Sequence, residues 1–82
     1  SAAGAASTTV SKNERRRLER AARELEARIE EVEARLDTIA AEIQAASEAG
    51  DYDAIHAATA RHADAMSDRD RLYAMWVAAA DA

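Results

Sequence analysis

Apolar side chains recur along the first half of the chain in alternating steps of four and three. From Leu18 the series runs through Ala22, Leu25, Ile29, Val32, Leu36, Ile39 and Ile43 to Ala46. This heptad spacing keeps one edge of a helix turned toward a partner helix over about four repeats. The flanks are charged and carry Glu19–Arg23, Glu24–Arg28 and Glu31–Arg35 at helical spacing. Such pairs add only about 0.2–0.5 kcal/mol each. A second series follows after a break: Ile55, Ala58, His62, Ala65, Arg69, Leu72, Trp76 and Ala79, again in steps of three and four. Met66 and Tyr73 flank it.

The boundaries of the two segments are written in capping residues. Ser11 precedes Glu14 by three, which is a capping box: the serine hydroxyl accepts from the Glu14 N–H and the glutamate reaches back. "SEAGDYD" interrupts the pattern. Gly50 is the one glycine in the patterned region, placed where a helix closes in a left-handed residue. Asp51 then caps a second helix, with Asp53 in its first turn facing the positive helix end. The spacing predicts a helix over about 11–48, a turn at about 49–51 and a helix over about 52–80. So short a connection folds the second helix back on the first. The fold class is all-α: two long antiparallel helices forming a coiled-coil hairpin.

At 1.5 Å per residue the helices are ~57 Å and ~43 Å long. Residues 11–17 then overhang the end of the second helix. If Ile43 faces Ile55, the register sets His62 near Leu36, Arg69 near Ile29 and Trp76 near Ala22, a large residue against a small one. Arg69, on the seam, is expected to reach outward to Glu26, Glu30 or Glu33.

Composition narrows the rest. Eighty-two residues make one domain at most, with a small fraction of surface to bury. Proline, phenylalanine and cysteine are absent, and β-branched residues are too scattered for strands. Without cysteine there is no disulfide framework and no thiolate zinc site. That fits a reducing compartment, and a cytoplasmic location is expected. No apolar run approaches the ~20 residues that cross a bilayer. Residues 1–10, "SAAGAASTTV", are small, uncharged and aperiodic, and read as a disordered linker segment. A first residue of serine rather than methionine is read as the mark of a fragment.

Charge changes the picture most. The chain carries a net −5, yet residues 12–23 hold six basic side chains against two carboxylates, a net +4. Residues 24–82 are therefore −9. Lys12, Arg15, Arg16, Arg17, Arg20 and Arg23 are candidate phosphate ligands, since such clusters bind nucleic acid by releasing counterions. Helix stability does not explain them. Arg16 and Arg20 repel at i,i+4, and cations at a helix N-terminus oppose its dipole. The plainer reading is a solvated helix face or contact with an acidic partner. Trp76 and Tyr73 read as seam aromatics, with nucleobase stacking as the sharper alternative.

No catalytic set is present in the pattern. There is no phosphate loop, no nucleophile elbow and no Cys/His pair. His56 and His62, six apart, fall on different helix faces and make no metal site. The carboxylates sit on charged faces with no pocket to separate two pKa values. The chain is read as non-enzymatic.

Together, "SKNERRRLERAARELEARIEEVEARL", "DYDAI" and "LYAMW" resemble the C-terminal domain of ABC-F ATPases of the Uup type. The features shared are Lys12, Glu14 and Arg16 at the opening, the seam from Leu18 to Ile43, the Asp51–Tyr52 turn and Trp76. The resemblance covers residues 11 to about 80. It implies a coiled-coil appendage to two nucleotide-binding domains in a protein without membrane spans. It also implies DNA binding, or ribosomal RNA contact as in related proteins, and docking on the parent nucleotide-binding domains. ATP and Mg belong to that parent; no cofactor is expected in this chain. The alternative is a structural or protein-interaction hairpin without nucleic acid, including a homodimer in which exposed apolar stripes pair into four helices.

Overall fold

A computed structural model describes residues 11–81; the expected linker at 1–10 lies outside them. Two helices are present, α1 over Lys12–Ala49 and α2 over Tyr52–Ala80, and among the described residues there is no strand. They pack against each other along their length as a rod of 69 × 16 × 11 Å.

The caps form where the sequence puts them. Ser11 is extended (φ −65°, ψ 159°) and its hydroxyl accepts from the Glu14 N–H at 3.1 Å. The reciprocal half of the box is missing. The Glu14 carboxylate lies 3.7 Å from the Arg17 guanidinium instead. At the other end Gly50 is left-handed (φ 68°, ψ 24°). Its N–H bonds the Ser47 carbonyl at 3.2 Å, and the Asp51 N–H bonds the Ala46 carbonyl at 3.0 Å. These two bonds are the Schellman pair that satisfies the last carbonyls of a helix. Asp51 starts α2 by accepting from the Ala54 N–H at 3.1 Å. Asp51 thus belongs to both caps, and Gly50 and Asp51 alone lie between the helices, which forces the reversal.

The seam is buried as the heptads require. Leu25, Ile29, Val32, Leu36 and Ile39 of α1 are buried, and Leu18, Ala22, Ile43 and Ala46 are half-buried at its ends. On α2 the two buried residues are Ala58 and Ala65. Ile55, His62, Arg69, Leu72, Trp76 and Ala79 are half-buried. Large side chains therefore come from α1 and small ones from α2. The central cluster sets Val32, Leu36 and Ile39 against Ala58 and Ala65, with Ile43, Met66 and Leu72 closing its edges.

Three local expectations change. Trp76 does not stop at Ala22; its indole N–H donates to Glu26 Oε1 at 2.9 Å, one turn nearer the hairpin loop. Side chains lean toward the N-terminus of their own helix. In an antiparallel pair Trp76 therefore leans loopward while Glu26 leans away from the loop, and the two meet. Arg69 turns to its own helix, 3.4 Å from Asp70, rather than across to Glu26, Glu30 or Glu33. The pairs Glu19–Arg23, Glu24–Arg28 and Glu31–Arg35 do not close. Among the described residues, the ion pair between helices is Arg61 with Glu42.

Candidate functional site

The six basic residues all lie in the first three turns of α1, and all are exposed. α1 has 38 residues and α2 has 29. At 1.5 Å per residue the difference is about 13 Å, so roughly two turns of α1 run past the end of α2. The helix distributes the block around its surface. Arg17 and Arg20 line an open hollow with Ser11, Asn13 and Glu14. Arg15 lies on the other side, over a groove formed with Leu18, Glu19 and Ala22 of α1 and Ala79 and Ala80 of α2. Lys12, Arg16 and Arg23 fall on the flank between them, at steps of four and seven.

Of the six, one is engaged within the chain. Arg17 sits 3.7 Å from Glu14, with both side chains largely in solvent. An exposed pair of this kind is worth at most about 1 kcal/mol and yields readily to a competing anion. The other five make no ion pair among the described residues. The end of the rod is therefore a cap of exposed, solvated cations on a helix.

The two aromatic candidates stand apart from that cap. Tyr73 and Trp76 line a groove with Ile29, Glu26, Glu30 and Glu33. The indole N–H is held by Glu26, so the ring is oriented, and three carboxylates surround it. Cation recognition is the chemistry this arrangement offers: two π faces beside fixed negative charge. Reasoning from the sequence missed this groove. The available signal was the indole donor, which requires a partner when half-buried, together with Glu26 and Glu33 flanking the seam.

His62 is half-buried on the seam and His56 is exposed, on different faces. Among the described residues no three His, Cys, Asp or Glu side chains group as metal ligands. No helix among them is long and apolar enough to cross a membrane.

The described residues form a capped antiparallel hairpin with a cationic end and open grooves along its surface. A family model described as ABC transporter C-terminal domain matches residues 9–80. The chain belongs to that family and is an accessory domain of an ABC protein. No curated protein and no solved structure matches it.

Proposed function

We propose that the domain is a non-catalytic appendage of an ABC-F ATPase that contacts nucleic acid, DNA or ribosomal RNA, through the cationic end of α1. One observation carries this reading. A net +4 is concentrated in residues 12–23 of a chain whose remainder is −9, its basic side chains are exposed, and its first turns lie where α1 outruns α2. Neither the helix dipole, which disfavours cations at an N-terminus, nor packing accounts for that placement. Phosphate oxygens satisfy it, because arginine forks bind them bidentately and release counterions in doing so. Arg17 and Arg20, sharing one hollow, are the pair best arranged to hold a single phosphate between them. Contacts to phosphate fix position and carry charge rather than base sequence. ATP and Mg act in the parent nucleotide-binding domains, which are also a partner for the same end of the rod.

The test titrates the domain with duplex DNA, single-stranded DNA and ribosomes at two salt concentrations. The expected result is affinity that falls steeply with salt, and a shallower slope when Arg16, Arg17 and Arg20 are replaced by alanine. Each lost phosphate contact reduces the slope by about one. Undiminished low-salt binding by the triple variant removes the basic end as the contact. A second reading, a protein-interaction hairpin, is favoured by the exposed Tyr73, Met75 and Val77 near the end of α2.

A further inference from the structure

The charges on α1 are ordered as well as unevenly distributed. One stripe lies a single residue, about 100°, round the helix from the buried seam. At its N-terminal end it carries Lys12, Arg16 and Arg23, and beyond them Glu26, Glu30, Glu33 and Asp37, in steps of four and three. Glu19 is the one acid in the basic half. The stripe faces the same side as Tyr73 and Trp76, because Glu26, Glu30 and Glu33 line their groove. Glu26 is held by the indole N–H. Among the described residues, no ion pair within the chain uses any other member of the stripe.

The stripe is complementary to itself when reversed. About a point between Arg23 and Glu26, Arg23 falls opposite Glu26, Arg16 opposite Glu33 and Lys12 opposite Asp37. Glu19 opposite Glu30 is the single mismatch. We propose that a second copy of this chain docks on this side, antiparallel, about a two-fold axis at that point. A two-fold interface uses one patch twice. The three attractive pairs therefore become six contacts, against two repulsive ones. The axis lies level with the apolar end of α2, near Trp76. Tyr73 and Val77, 42% and 48% exposed, share a face there at i,i+4 and meet their equivalents across the axis. The Arg16 guanidinium of one copy enters the groove of the other, between the Tyr73 and Trp76 rings and the carboxylates of Glu30 and Glu33.

Residues 12–37 overlap over ~38 Å as a strip one helix, ~10 Å, wide, and the two α2 ends double that width over the ~12 Å where both are present. That footprint is ~500 Å² per copy, the size of a weak, transient interface rather than of a standard one at about 800 Å² per partner. Such an interface also covers a hairpin in which, among the described residues, no side chain is fully buried. Arg17 and Arg20 stay outside it, whereas Lys12, Arg16 and Arg23 serve both readings; replacing Arg17 and Arg20 alone therefore tests phosphate binding without touching the dimer.

Sedimentation velocity on the whole chain, without nucleic acid, tests the proposal from about 10 to 200 μM in low and high salt. The expected result is a dimer at low salt that dissociates as salt rises. Arg16→Glu and Glu33→Arg should each weaken self-association about tenfold or more, since each alters two contacts. The chain carrying both substitutions should recover it, because the pair re-forms with reversed sign. Circular dichroism confirms that the variants keep their helices. A monomer at about 200 μM in low salt overturns the proposal. So does a dimer indifferent to Arg16→Glu, or a double variant that associates no better than the single ones.

Discussion

Replacing Ile39 by alanine probes the central claim about how the hairpin holds together. Ile39 is the least exposed large side chain, at 3%, and packs in the cluster with Ala58 and Ala65. Ile→Ala in a core costs about 2–5 kcal/mol, the range reflecting how far the surroundings collapse into the space. Two features pull in opposite directions here. The facing residues are alanines, which have no atoms to swing into the void. The hairpin is also only two helices wide, so they can close up and water can enter from the edges. A cost of about 3 kcal/mol is expected. For a domain of this size that corresponds to a fall of roughly 12–24 °C in melting temperature. Thermal and urea unfolding followed at the helical circular dichroism band measure it. Thr38→Ala is the control: Thr38 is exposed and its hydroxyl bonds only the Ala34 carbonyl of its own helix, at 3.2 Å. It should lie within about 0.5 kcal/mol of the parent. An Ile39→Ala cost below about 1 kcal/mol, or one matching the Thr38 control, refutes the assigned seam.

Gly50→Ala isolates the turn. Nothing lies within 4 Å of where the new Cβ would stand, so only the left-handed backbone at φ 68° opposes it. The expected loss is about 1–2 kcal/mol by urea unfolding, and a change near zero would mean that the turn adopts another conformation. Trp76→Phe keeps an aromatic ring, smaller than the indole, and removes the donor to Glu26. It should cost about 1 kcal/mol, below the 1.5–3 of hydrogen bonds to charged groups because the acceptor is solvated. Glu26→Gln, which keeps an acceptor, should cost less than half as much; a loss as large as that of Trp76→Phe would refute the hydrogen bond as the cause.

Much of the architecture is legible in the sequence because each part depends on neighbours in the chain. The heptad series from Leu18 to Ala46 depends on a period. The caps at Ser11, Gly50 and Asp51 depend on offsets of three residues, and each forms where the offset puts it. The expectations that changed involve long side chains choosing among several partners. Arg69 had three glutamates within reach across the seam and Asp70 beside it. An exposed ion pair is worth too little for sequence spacing to decide between them. Trp76 was placed by counting Cα levels, and the lean of side chains toward their helix N-termini moved it one turn. The basic cluster was visible as composition. Its division around α1, with Arg17 and Arg20 on one side and Arg15 on the other, follows once the helix phase and the end of α2 are known.

The sequence alone determined that this chain makes two helices, where they stop, which edge of each is buried and that the cations gather at one end. These are consequences of backbone geometry and of the period of apolar residues, both local. Only the tertiary structure decided how the helices sit in register, which places large side chains of α1 against Ala58 and Ala65 of α2. It also created the groove in which Tyr73 and Trp76 meet Glu26, Glu30 and Glu33. Those residues come from two segments separated by some fifty positions, as Trp76 and Glu26 are. Their meeting depends on packing depth and side-chain lean, quantities that exist only once the helices touch.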